Sequence, residues 1–193
     1  MVKLIRTLKV TILVTLLGTI IGCSSNAPSK SYFQLTSNLT GSRMTQTTDH
    51  FIWIESIEVA SFLNKPGIVL QTQDIKYVTA TNHLWASTLS QQLADRLSQD
   101  LTQILPNYLV STKSITTPTF TVKLFIDGFH GGYNGDAIIK GRWVVTDKKG
   151  KIVTKAIERH VPLATNGYDA LVKALSEGWQ NEELDFANSI KHY

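Results

Sequence analysis

Leu89, Leu93, Leu97, Leu101 and Leu105 recur every four residues, with Gln91, Gln92, Asp95, Arg96, Gln99 and Asp100 between them. That period puts the leucines along one face of a helix and the polar groups on the other. Pro106 lacks the amide hydrogen needed to continue, so the spacing predicts an amphipathic helix from Trp85 to Leu105. A helix of this kind is marginal alone in water, and its leucine row needs an apolar surface to cover. Its polar row is expected to be solvated, or to face a neighbour in an oligomer.

The rest of the chain supplies that surface as strands. Tyr32-Phe33-Gln34-Leu35 reads as a first strand, and the polar stretch from Thr36 to Asp49 reads as a loop. Phe51-Ile52-Trp53-Ile54 leads into Ile57 and Val59 as a buried strand, Pro66-Gly67 interrupts, and Ile68-Val69-Leu70 and Ile75-Lys76-Tyr77-Val78 follow as further strands. Beyond the helix, Phe120, Val122, Leu124 and Ile126 alternate with Thr119, Thr121, Lys123 and Phe125, the pattern of a half-buried strand. Ile138 to Val145 and Ile152 to Val161 are strands joined by Asp147-Lys148-Lys149-Gly150, a polar hairpin loop. Tyr168, Leu171, Val172, Leu175, Trp179, Phe186 and Ile190 fall near helical spacing and close the chain with a second helix. The expectation is an α/β fold: a single domain, its mixed β-sheet packed with two main amphipathic helices. No internal repeat or linker divides it.

The N-terminus has a different logic. Lys3, Arg6 and Lys9 precede an apolar run from Val10 to Ile21, and the chain turns polar after Cys23, the only cysteine. That is the layout of a secretory signal, and the run falls well short of the roughly 20 residues that span a bilayer. The boundary Ile20-Ile21-Gly22-Cys23 resembles the lipobox of bacterial lipoproteins. The resemblance implies cleavage between Gly22 and Cys23, an S-diacylglycerol on the Cys23 thiol and an acyl group on its new amine. Ser24 stands where the enteric sorting rule would need aspartate for retention at the inner membrane, which implies the periplasmic face of the outer membrane. The expected organisation is therefore a signal peptide over 1–22, a lipidated cysteine and flexible tether over 23–31, and a periplasmic domain over 32–193. Residues 24–31 could reach at most roughly 26 Å at about 3.3 Å each.

Removing the signal changes the charge. Three of 19 basic residues lie in it, leaving 16 against 15 acidic, so the net charge falls from +4 to +1 with an acylated terminus. No Lys/Arg cluster with interleaved aromatics remains to argue for nucleic acid. With Cys23 acylated, neither an internal disulfide nor a thiolate metal site is available.

Chemistry-bearing motifs are sparse. His50, His83, His130, His160 and His192 lack the spacing that puts two metal ligands on one helical face, so no metal and no cofactor is expected. Nucleophile-elbow, phosphate-loop and dinucleotide signatures are missing. The stretch from Gly128 to Asp136 carries four glycines between two strands, which suits a tight turn or bulge. Asp127 and Asp136 flank it as a conceivable carboxylate pair. Trp53, Trp85, Trp143 and Trp179 are spread as core residues would be. Phe62-Leu63, an apolar pair before Asn64-Lys65-Pro66-Gly67, must either fold into the core or face a partner.

Several of these stretches occur in an order that resembles one family. They are Tyr32-Phe33-Gln34-Leu35, Trp53-Ile54-Glu55, Phe62 through Thr72, Asp74 through Val78, Asn82 through Ser87, Gln91-Gln92-Leu93 and Gly167 through Val172. With the lipobox they resemble the PqiC family, lipoprotein subunits of an intermembrane transport system. The resemblance implies an α/β, non-enzymatic auxiliary subunit anchored in the outer membrane and forming homo-oligomeric rings. It also implies a partner, a PqiB-like MCE-domain protein whose tunnel crosses the periplasm. Thr88 stands where relatives often carry proline, which bears on where the first helix starts. Two other readings stand beside this one: a lipoprotein enzyme acting on envelope lipid or glycan through Asp127, His130 and Asp136, and an outer-membrane assembly factor.

Overall fold

The computed structural model describes residues 29–39 and 48–193. Gly22, Cys23 and the signal segment lie outside the described residues. The elements are β1 (Ser31–Phe33), β2 (Phe51–Val59), β3 (Gly67–Gln73), β4 (Lys76–Trp85), α1 (Leu89–Ile104), β5 (Leu109–Ser111), β6 (Phe120–Gly131), β7 (Asp136–Asp147), β8 (Ile152–Pro162) and α2 (Tyr168–Ile190).

The sheet is organised around β6. One of its edges pairs antiparallel with β7 from Phe120↔Asp147 to Gly131↔Ala137, and β7 pairs in turn with β8. The other edge is shared in succession. β2 runs parallel to it from Ile52↔Phe120 to Val59↔Ile126, and β3 meets it at Leu70↔Gly131. β5 extends the sheet beyond β2, β4 folds back antiparallel on β3, and β1 lies parallel to β4. The sheet is mixed, as the strand and helix pattern predicts.

Alternation decides which face is covered. Phe120, Val122, Leu124 and Ile126 are buried, and a bulge between Ile126 and Gly128 resets the phase so that Phe129 continues the same row. Ala137, Ile139, Trp143 and Val145 do the same for β7. Both helices lie on this face. Leu89, Leu93, Leu97, Leu101 and Leu105 are at most 2% exposed, each burial contributing roughly 1.5–3 kcal/mol. From α2, Trp179 and Phe186 stack on Trp143 with ring centroids 5.8 and 4.2 Å away. The missing side chain at Gly178 allows that approach, since a Cβ there would come within 2.9 Å of Ile139 and Val161.

Four local expectations need correction. α1 begins at Leu89, because Trp85 is the buried last residue of β4 and its amide donates to the Pro66 carbonyl at 2.7 Å. Thr88 is the N-cap, its Oγ1 accepting from the Gln91 amide, which is how a chain without proline starts this helix. The polar row of α1 is not all solvated: Gln92 and Asp100 are 3% and 1% exposed, since α2 and the segment after β1 cover that side. β5, three residues long, is too short for alternation to reveal, and β1 ends at Phe33. The glycine-rich stretch has the bulge and turn expected of it: Gly128 and Gly131 belong to β6, and Gly135, at φ +83°, turns the chain into β7.

Candidate functional site

The face of the sheet away from the helices carries the groups available for contact. Cross-strand rows run His130–Ile138–His160, then Gly128–Lys140–Glu158, then Phe125–Arg142–Ala156. Lys140 pairs with Glu158 at 3.1 Å, Lys123 with Glu55 at 3.0 Å, and Arg142 with Asp127 at 3.6 Å while its guanidinium lies 4.2 Å over Phe125. Such exposed pairs contribute about 0–1 kcal/mol each, so their main effect is to keep the face polar and its register specified.

At the C-terminal end of β6 this face becomes aromatic. Tyr77 meets the His130 ring edge-on with centroids 5.1 Å apart, and Phe62 lies 5.1 Å from Tyr77 and 6.4 Å from His130. His130 is 4% exposed. Burial pushes its pKa below 6.5, with Lys140 and His160 acting in the same direction and the Gly131 carbonyl and Asp136 opposing. The ring is therefore a neutral packing group at pH 7. His160 Nδ1 lies 2.7 Å from Asp136 Oδ2.

The structure does not bring Asp127 to His130 and Asp136. Asp127 sits at the bulge beside Lys140 and pairs with Arg142. Asp136 is the first residue of β7, four residues before Lys140 and roughly 13 Å from it at the strand rise, and is engaged by His160. His130 lies beneath Phe62 and Tyr77. Among the described residues no three His, Cys, Asp or Glu side chains cluster closely enough to hold a metal ion.

Phe62 and Leu63 part ways. A turn in which the Leu63 amide donates to the Ala60 carbonyl at 2.9 Å aims Leu63 into the core, where it is 1% exposed, so this side chain is not free to face a partner. Phe62 points to the opposite side and stays half-buried against Tyr77. Of the tryptophans, Trp85, Trp143 and Trp179 are buried and Trp53 is half-buried.

Three features had no signal in the sequence. Gln92 Oε1 accepts from the Leu35 amide at 2.8 Å while its Nε2 donates to the Phe33 and Ser87 carbonyls, clamping the chain after β1 to the start of α1. Glu183 is fully buried on α2 beside Asp100 and Arg96. Burial raises its pKa well above 4.5, Asp100 pushes the same way, and Arg96 opposes them. Ile75 is 90% exposed at the tip of the β3–β4 hairpin, with Val78 exposed behind it and Tyr77 exposed on the side of its ring away from Phe62 and His130; their strand pattern alone could not say so.

A mixed eight-stranded sheet with two helices on one face, and an outer face of ion pairs and edge-packed rings, defines a two-layer α/β domain. Residues 33–185 match the family described as ABC-type transport auxiliary lipoprotein component. The chain is 33% identical over 171 residues to the intermembrane transport lipoprotein PqiC of Escherichia coli (strain K12), covering 88% of this chain and 91% of that protein, and equally to PqiC of Shigella flexneri. It belongs to the PqiC family of auxiliary lipoproteins. A crystal structure of an uncharacterised protein, 32% identical, superposes with a TM-score of 0.75 over 84% of this chain and 99% of its own. A Xanthomonas campestris protein, 10% identical, shares the fold with a TM-score of 0.65 over the same fractions.

Proposed function

We propose that this chain is a lipid-anchored auxiliary subunit of an MCE-type intermembrane lipid transport system. Cleavage between Gly22 and Cys23 and acylation of Cys23 hold the domain at the periplasmic face of the outer membrane. There a ring of copies receives the end of a PqiB-like, periplasm-spanning MCE-domain tunnel protein, aligns it with the bilayer and so supports membrane integrity. The role is binding without chemistry.

The observation that carries this reading is family membership across nearly the whole domain, joined to a cysteine placed directly after an export signal. The absence of convergence among Asp127, His130 and Asp136 is in keeping with it. Phe62 keeps a partner contact open only through the exposed rim of its ring, beside Tyr77.

Two measurements test it in cells. Cys23→Ala should move the protein out of the outer-membrane fraction; retention there would sink the anchoring. A photo-crosslinking side chain at position 62 or at outer-face positions such as 140 should yield an adduct with the MCE-domain protein, and no adduct from any of them would sink the docking. Native mass spectrometry of the detergent-extracted protein should show a closed oligomer.

A further inference from the structure

The β3–β4 hairpin is the part of the domain that the core does not account for. β3 meets β6 at Leu70↔Gly131, where β6 ends, and continues past it paired only with β4, through Leu70↔Val78, Gln71↔Tyr77 and Gln73↔Lys76. Three strand residues from Leu70 to Gln73, and then the turn at Asp74-Ile75, carry the tip at least about 10 Å beyond the end of β6. A two-stranded ribbon standing in water is marginal and gains nothing from apolar side chains at its tip. This one ends on Ile75, 90% exposed, with Tyr77 and Val78 at 44% and 38%.

What the tip meets follows from where the chain enters the domain. β1 is parallel to β4, with Ser31 opposite His83 and Phe33 opposite Trp85. Because β4 runs from the hairpin tip toward the body of the sheet, the chain that arrives at Ser31 comes from the side of the tip. Ile75 precedes His83 by eight residues, and Cys23 precedes Ser31 by eight. Measured along β3, the ribbon from Gln73↔Lys76 to Gly67↔Leu84 is six residues, about 20 Å, and the eight residues from Cys23 to Ser31 reach at most roughly 26 Å. A bilayer that holds an acylated Cys23 on that side therefore lies hardly further from Ser31 than the hairpin itself extends.

The geometry points to the tip of the β3–β4 hairpin as a second membrane contact, its occupant being the lipid interface that takes the acyl chains of Cys23. This rests on the lipidation reading above. Ile75 enters the acyl boundary, and Tyr77 places an apolar ring with a polar hydroxyl at the level of the headgroups. The Lys76 ammonium is positioned for anionic headgroups. Phe62, 5.1 Å behind Tyr77, braces the ribbon. One point of attachment alone leaves a domain free to rotate, whereas anchor and tip together set its orientation. The β6–β7 turn with Tyr133 then faces the bilayer, and the β7–β8 loop at Gly150, at the opposite end of the sheet, faces the periplasm and any partner arriving from it.

The experiment uses the acylated mature chain in vesicles of phosphatidylethanolamine and phosphatidylglycerol. With the Cys23 sulfur alkylated, Ile75→Cys offers a single thiol for an environment-sensitive fluorophore, and Ile152→Cys, 65% exposed at the far end of the sheet, offers the control. Lipid spin-labelled near the headgroup should lower emission at position 75 at least twofold and leave position 152 unchanged. Equal emission at both positions overturns the inference. So does a blue-shifted probe at 75 that spin-labelled lipid does not quench and that persists in detergent, which would mean a second copy covers the tip. Mass spectrometry of the N-terminal peptide separates the two levels: an acylated Cys23 with an unquenched tip overturns the hairpin contact alone, and an unmodified Cys23 overturns the anchor and the contact together.

Discussion

Trp143 Nε1 donates a 2.9 Å hydrogen bond to Glu182 Oε1, joining the middle of β7 to α2 across 39 residues of chain. The other carboxylate oxygen accepts from Arg159 Nε at 2.7 Å, so β8 is tied to the same side chain, and Arg159 reaches on to Asp185. Glu182 is 3% exposed and the Trp143 indole is fully buried. One carboxylate thus satisfies a buried donor and a half-buried cation while fixing the rotation of α2 on the sheet.

Removing that carboxylate leaves both partners unpaired. Glu182→Ala should destabilise the domain by roughly 3 kcal/mol, and Glu182→Gln, which still accepts from Trp143 but loses the ion pair, by about 1 kcal/mol. Urea denaturation followed by tryptophan fluorescence reads the difference. Equal losses for the two variants would mean that Arg159, not Trp143, sets the value of the contact.

Gln92 holds the segment after β1 through three backbone groups. Gln92→Leu should cost roughly 1–3 kcal/mol by leaving the Leu35 amide without its acceptor. Hydrogen exchange at Leu35 and Thr36 should accelerate more than exchange within β6 or β7. Uniform acceleration across the domain would show that the clamp is part of the global core and not a local latch.

Glu183 responds to pH with a definite sign. Its folded pKa lies above the ordinary 4.5, so the folded state binds the proton more tightly; the favourable contribution is complete below pH 4.5 and is lost as pH rises toward the folded pKa. Glu183→Gln keeps the shape of the protonated acid and removes the titration. The variant should be more stable than the parent at pH 8 and no more stable at pH 4, as read by thermal unfolding at both values. A constant difference between the two pH values would contradict the assignment.

His130 acts in the opposite direction. Its folded pKa lies below 6.5, so the stability it contributes is present above pH 6.5 and lost as pH falls through the folded value. His130→Phe keeps a ring against Phe62 and Tyr77 and cannot be protonated. Between pH 7.5 and 5 the parent should lose more stability than the variant, in matched denaturation curves. Parallel losses would show that the acid response comes from other groups.

Much of this architecture was legible because it repeats. The four-residue leucine period of α1, the two-residue alternation of β6 and the apolar spacing of α2 are local patterns, each imposed by one element against one shared surface. Features that depend on a second element were not legible. Trp85 closes β4 because the Pro66 carbonyl lies opposite its amide. Leu63 turns inward through a bond to Ala60, and Asp127 and Asp136 are kept apart by a bulge and by different partners.

The sequence by itself determined the two amphipathic helices, the β6–β8 meander and the family resemblance, since periodicity and motif order are written along the chain. Only the tertiary structure decided that Gln92, Asp100, Glu182 and Glu183 are buried. A polar residue on a helix is solvated or enclosed according to what a distant segment lays over it. In the same way, the parallel pairing of β1 with β4 put the entry of the chain at Ser31 and the apolar hairpin tip at Ile75 on one side of the molecule, a relation that no local pattern contains.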